Sequence, residues 1–105
     1  MNIVVIGAGG VGVFYGVLFH KLGHNVKFVA RGKNLEYLKK NKIKLTHSTF
    51  SSNEKIEALS IEELVQLNPK DIDIIFLATK SMSTENISLK LEEWTKNKKE
   101  IPYFI

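Results

Sequence analysis

Six residues near the amino terminus constrain this chain more than any others: Gly7-Ala8-Gly9-Gly10-Val11-Gly12. They follow a short apolar run, Asn2 to Ile6, rich in β-branched residues, which reads as a buried parallel strand. They lead into a stretch where Val11, Phe14, Tyr15, Leu18, Phe19 and Leu22 recur at three- and four-residue steps, the spacing of one helix face. A G-x-G-x-x-G turn between a strand and a helix is the setting of a dinucleotide-binding fingerprint. Gly7 permits the tight turn out of the strand, Gly9 leaves room for a diphosphate against the backbone, and Gly12 lets the helix approach the sheet. The amides near Gly10 and Val11 have no intrahelical acceptor, and with the helix dipole they form an anion site. The plainer reading of the same residues is a glycine-rich strand–helix turn that holds no ligand.

Gly23 is a natural stop for the first helix. Val26, Phe28 and Val29 form a second strand that ends at Ala30-Arg31-Gly32, and Asn34 is expected to cap a short helix burying Leu35 and Leu38. Residues 42–59 read as an irregular insert, with short strands at Ile43 to His47 and Lys55 to Leu59 joined by a polar stretch. Ser60-Ile61-Glu62-Glu63 fits a capping box, and Asn68-Pro69 ends the helix that it opens. Asp71 to Thr79 is a further buried strand. Ile87, Leu91 and Trp94 sit at helical spacing, and Pro102-Tyr103-Phe104-Ile105 opens a last strand. Strands alternating with helices over 105 residues predict a single α/β domain of Rossmann type, a doubly wound and mostly parallel sheet covered on both faces.

Charge then points to the ligand. The formal net charge is +4, yet all eleven Asp and Glu residues lie at Glu36 or later. The first 35 residues carry Lys21, Lys27, Arg31 and Lys33 and no carboxylate, which suits an anionic ligand. An NAD site needs an Asp or Glu roughly 20 residues past the glycines to accept hydrogen bonds from the ribose hydroxyls. Arg31 stands there instead, nineteen residues after Gly12, and it is the only arginine among fifteen basic residues. A guanidinium can hold a 2′-phosphate through two parallel hydrogen bonds. The expected cofactor is therefore NADPH/NADP rather than NADH. The alternative is a solvated surface charge. Lys80 follows the strand that ends at Thr79, where strand ends face the ligand crevice of an open α/β sheet. It either reaches the ribose or its 2′-phosphate, or is an exposed loop residue.

The remaining features exclude more than they assign. Without cysteine there are no disulfides, thiolate metal sites or cysteine nucleophiles, which fits a reducing cytoplasm. No apolar run approaches the roughly 18–20 residues of a membrane span, and Met1-Asn2 lacks the basic start of a signal peptide. The lysines are scattered, and Lys96, Lys98 and Lys99 cluster where a helix should end, so no nucleic-acid partner is expected. His20 and His24 flank the end of the first helix without a companion ligand, and no metal site is expected. His47 is read as a surface residue of the insert, Trp94 as core, and Glu62-Glu63 and Glu92-Glu93 as solvated helix faces. No residue is assigned a catalytic role.

Met1-Asn2-Ile3-Val4-Val5-Ile6-Gly7-Ala8-Gly9-Gly10-Val11-Gly12, with Gly23-His24-Asn25-Val26 and Val29-Ala30-Arg31-Gly32, resembles the N-terminal domain of the ketopantoate reductase (2-dehydropantoate 2-reductase) family. Ile75-Phe76-Leu77-Ala78-Thr79-Lys80 and Pro102-Tyr103-Phe104-Ile105 extend the resemblance over essentially the whole chain. It implies NADPH-dependent reduction of 2-dehydropantoate, a small 2-oxo acid, to pantoate. Gly7 to Gly12 become the diphosphate loop, and Arg31 and Lys80 become contacts to the adenosine 2′-phosphate. Members of the family continue into an Asn-Gly segment and a helical domain that supplies a catalytic lysine and a substrate-binding glutamate. Ile105 falls just short of that segment, so a shortened chain is expected that binds cofactor without turnover. An apolar end of this kind is also expected to favour self-association. Two other readings share the fingerprint: a non-catalytic nucleotide-sensing module, and the cofactor domain of another NADP-linked 2-oxo acid reductase.

Overall fold

The β-branched run at the amino terminus becomes the middle strand of a five-stranded sheet. The computed structural model describes residues 1–7, 10–40, 43–46, 51–78, 84–96, 98 and 100–105; for 10, 11, 43–46, 51–54, 84–86 and 88 the description is of backbone. The chain runs β1 (Asn2–Ile6), α1 (Gly10–Lys21), β2 (Asn25–Val29), α2 (Gly32–Lys40), β3 (Ile43–Thr46), β4 (Ser51–Glu54), β5 (Glu57–Leu59) and α3 (Ile61–Leu64). A 3₁₀ turn at Pro69–Asp71, β6 (Ile74–Leu77), α4 (Thr84–Thr95) and β7 (Tyr103–Phe104) complete it. The sheet order is β5-β2-β1-β6-β7, and every pairing in it is parallel. This is the doubly wound α/β arrangement expected from the alternation of strands and helices.

Alternation along β1 builds two cores. Ile3 and Val5 join Val17 of α1, Val26 and Phe28 of β2 and Leu38 of α2 on one face. Val4 and Ile6 join Leu64 of α3 and Leu91 and Trp94 of α4 on the other. Strands buried on both faces need continuous apolar runs, which is why Ile3–Ile6 does not alternate with polar residues. Trp94 is core as expected, and its indole N–H donates to the Leu67 carbonyl at 2.8 Å.

The expected face of α1 is only partly the one that meets the sheet. Leu22 is 66% and Tyr15 39% exposed, while Gly12, Gly16 and Val17 are buried. The helix is apolar nearly all round, so the spacing of its large residues does not identify the side with the closest approach. Tyr15 and Phe19 instead pack over Phe76 of β6, with ring centroids 5.4 and 6.3 Å from it. The helix ends as expected around Gly23. The Gly23 N–H donates to His20 O and the His24 N–H to Phe19 O, both at 3.1 Å, the two bonds of a Schellman motif.

Three further expectations shift. Asn34 lies inside α2, which opens two residues earlier at Gly32, although Leu38 is buried and Leu35 half-buried as anticipated. In the insert, the polar Ser51–Glu54 is itself a strand, antiparallel to β3, and only Glu57–Leu59 of the second expected strand forms, joining the main sheet beside β2. Backbone pairing made β4, and side-chain patterning carries no record of it. The strand expected over 71–79 is confined to Ile74–Leu77, because Pro69–Asp71 closes a 3₁₀ turn capped by the Asn68 side chain. His47 lies outside the described residues.

The capping box at Ser60 forms in both directions: the hydroxyl accepts from Glu63 N–H at 3.1 Å, and the Glu63 carboxylate accepts from Ser60 N–H at 3.0 Å. That second bond, then Lys39, holds the Glu63 carboxyl below its ordinary range; the Glu62 carboxyl is lowered by its own backbone amide, then by Lys90. Because both are lowered on folding, their stabilisation is complete above the ordinary glutamate range and fades as pH falls through the lowered values. Both carboxylates are exposed, as read from the sequence. Ser60→Ala is expected to cost about 1 kcal/mol in a urea titration at neutral pH. A midpoint unchanged from the parent would mean that the cap bonds exchange with water at no loss.

Candidate functional site

Three parallel strands end side by side. Ile6 of β1 is in register with Val29 of β2 and with Leu77 of β6, so the next residues, Gly7, Ala30 and Ala78, leave the sheet in a row. Backbone hydrogen bonds pin that row. Gly7 N–H donates to Val29 O at 3.0 Å, Ala78 N–H to Ile6 O at 2.9 Å, and Ala30 N–H to Leu59 O at 3.0 Å. The chain departs from β1 towards β2 and β5 and later returns past β1 to β6 and β7. β1 therefore stands at the topological switch point, where open α/β sheets place their ligands.

The glycines expected to shape this end do so where they are described. Gly7 has φ of 99°, the left-handed region that a side chain would strain, and the chain reverses there from β1 into α1. A Cβ on Gly12 would lie 2.1 Å from Gly7 O and 3.1 Å from the Ala78 Cβ, so hydrogen alone lets α1 pack against these strand ends. Gly10 and Val11 form the first turn of α1, whose opening amides have no acceptor within the helix and whose first turn holds no acidic residue. Ala8 and Gly9 lie outside the described residues.

Arg31 follows directly on this row. Its carbonyl accepts the first bond of α2, from Leu35 N–H at 3.5 Å. Its side chain is exposed and makes no ion pair among the described residues. The first turn of α2 holds no acid, and Lys33 beside Arg31 is exposed as well. The structure thus puts a cation two residues past the end of β2, the strand neighbouring the Gly7 turn. Lys80, two positions beyond Ala78, lies outside the described residues.

One residue of this architecture escaped the sequence reading. A Cβ on Gly16 would lie 2.3 Å from the Phe28 ring. Gly12 and Gly16 thus form one small-residue stripe, with Gly12 against the turn and Gly16 against β2. The signal was present as Gly12-x-x-x-Gly16, one turn apart on the same helix face.

Among the described residues no group of three or more His, Asp or Glu side chains could hold a metal ion. The amino terminus donates to His24 Nδ1 at 3.2 Å. No helix among the described residues is long and apolar enough to cross a membrane. A wide hollow borders Met1, Asp73 and Tyr103, but it lies at the opposite ends of the strands and beside the edge strand β7, away from the glycine turn. The strand ends carry backbone donors, a helix N-terminus and a guanidinium. They are equipped to bind an extended anion.

Comparison with known proteins agrees with this arrangement. A family model described as Ketopantoate reductase PanE/ApbA matches residues 3–101. A 2-dehydropantoate 2-reductase of Archaeoglobus fulgidus is 38% identical over 93 residues, covering 88% of this chain and 28% of that protein. Among solved structures, one from Enterococcus faecalis described as a 2-dehydropantoate 2-reductase matches with a TM-score of 0.77 over 99% of this chain and 32% of that one, at 22% identity. D-mandelate dehydrogenase, solved with NADH and anilino(oxo)acetate, matches with a TM-score of 0.71 over 88% of this chain and 29% of that one, at 21% identity. At such identities the structural likeness is one of fold. The chain spans 28% of the length of the curated relative.

Proposed function

The chain belongs to the ketopantoate reductase family, and from that premise we propose that it is the NADPH-binding domain of a 2-dehydropantoate 2-reductase. In this reading Gly7, Ala8, Gly9, Gly10, Val11 and Gly12 cradle the cofactor diphosphate, and Arg31 and Lys80 hold the adenosine 2′-phosphate. The opening amides of α1, without acceptors in the helix and with no acid in its first turn, suit a diphosphate laid across the end of β1. When bound, the cofactor supplies a hydride to the ketone of a small 2-oxo acid.

The observation that carries the reading is Arg31, exposed beside the Gly7 turn, with no carboxylate before Glu36. The likeness to D-mandelate dehydrogenase, solved with NADH, means that cofactor choice has to be read from side chains rather than from fold. Relatives in this family are oxidoreductases about three times as long, so the reduction belongs to the whole enzyme. The 105 residues alone are expected to bind cofactor and not to turn over. Lys27, Lys39 and Lys90 are held in ion pairs with glutamates, which leaves these lysines less suited to contacting a nucleic acid.

Calorimetric titration with both cofactors tests the proposal. NADPH is expected to bind more tightly than NADH. Arg31→Ala is expected to cost NADPH about 1.5–3 kcal/mol, the scale of hydrogen bonds to charged groups, and to leave NADH nearly unchanged. Equal affinities in the parent chain would end the case for a 2′-phosphate site.

A further inference from the structure

Gly32 has φ of 60°, and a Cβ built on it would meet nothing within 4 Å. Space therefore does not require glycine here; the backbone conformation does, because an L-residue in the left-handed region costs about 1–2 kcal/mol. The residue before it is held on both sides. Ala30 N–H is bonded to Leu59 O, and Arg31 C=O accepts from Leu35 N–H. Gly32 is the left-handed hinge that lets β2 turn directly into α2 with both bonds in place. Arg31 is thereby presented from a fixed stretch of backbone, its side chain exposed and unpaired among the described residues.

From this we infer that Gly32 is a positioning residue for cofactor choice: its left-handed backbone aims Arg31 at the 2′-phosphate, and it acts through Arg31 without touching the ligand. The inference rests on the reading of Arg31 given above. A side chain at position 32 that resists the left-handed region shifts the turn, and the guanidinium loses its place. The glycine turn at the end of β1, which serves NADPH and NADH alike, is left as it was.

The test is the ratio of NADPH to NADH affinity in the 105-residue chain, with a urea titration of each variant to establish that it is folded. Gly32→Ala is expected to lower the ratio by about five- to thirtyfold, the left-handed penalty converted at about 1.4 kcal/mol per tenfold, with NADH affinity unchanged. Gly32→Asn carries a Cβ but tolerates the left-handed region, and it is expected to keep the parent ratio within about twofold. With Arg31 already replaced by alanine, adding Gly32→Ala should change the ratio no further. A folded Gly32→Ala with the parent ratio overturns the inference and assigns Gly32 a role in folding alone. A Gly32→Asn that loses the ratio overturns it too, since the Cβ itself would then obstruct the ligand. If Gly32→Ala does not fold, Gly32→Asn decides on its own by the same criterion. A parent chain without NADPH preference is a different failure, that of the Arg31 reading.

Discussion

Gly12→Val is expected to abolish binding of NADPH and NADH together and to leave the chain close to its unfolding threshold. Its Cβ would arrive 2.1 Å from Gly7 O, a backbone atom, and 3.1 Å from the Ala78 Cβ. Neither neighbour can yield cheaply. Gly7 N–H is bonded to Val29 O and Ala78 N–H to Ile6 O, so moving them unpairs the ends of the sheet. The alternative is for α1 to lift off β1 and β2, exposing Val17 and the Phe28 face. Overpacking a tight core costs roughly 1–3 kcal/mol where side chains can adjust, and here the obstacle is main chain, so at least the upper end of that range applies. A chain of this size has a total stability of about 5–15 kcal/mol, so the loss is a large fraction. Urea unfolding followed through Trp94 gives the stability, and titration gives the affinity. A folded Gly12→Val of parental stability that binds both cofactors would refute the packing described for α1. The contrast with Arg31→Ala separates the shape of the site from its charge: the glycine affects both cofactors, the arginine only the phosphorylated one.

The second large effect is expected at Phe28, whose side chain is fully buried beneath Gly16. Phe28→Ala is expected to cost about 3–5 kcal/mol, because the ring fills the space that α1 leaves over β2 and Gly16 offers no atoms to collapse into the cavity. The pairing has a sharper signature. Gly16→Ala alone sets a methyl 2.3 Å from the ring and should destabilise, although alanine is the better helix former by about 1 kcal/mol. In a Phe28→Leu background the conflicting ring atoms are gone, and the same substitution should be less costly by about 0.5–3 kcal/mol. Strict additivity of the two changes would mean that Gly16 and Phe28 are not in contact.

The strand–turn–helix unit was legible because several local signals coincide in it: β-branched residues over 2–6, glycines at 7 and 12, and a Schellman stop at Gly23. Ser60 and Glu63 were legible for the same reason, since a capping box is complete within four residues. The buried face of α1 was not. Its deciding residues are two glycines, which leave no apolar signal, while Leu22, at the end of the expected apolar stripe, is exposed. The strand at Ser51–Glu54 was hidden because its hydrogen bonds go to β3 and its side chains follow no period of two. The position of Arg31 was countable along the chain, but the hinge at Gly32 was not, since nothing in a glycine's identity says whether it is needed for space or for conformation.

By itself the sequence determined the alternation of strands and helices, the glycine turn, and the charge that follows β2, because each is a matter of spacing over a few residues. Only the tertiary structure decided which face of α1 meets the sheet, that β1 lies between β2 and β6, and that Gly7, Ala30 and Ala78 leave the sheet in one row. Those facts depend on contacts between elements, the β1–β6 pairing joining residues 71 positions apart. Such contacts are fixed by how volumes fill a shared core, and no local pattern records that.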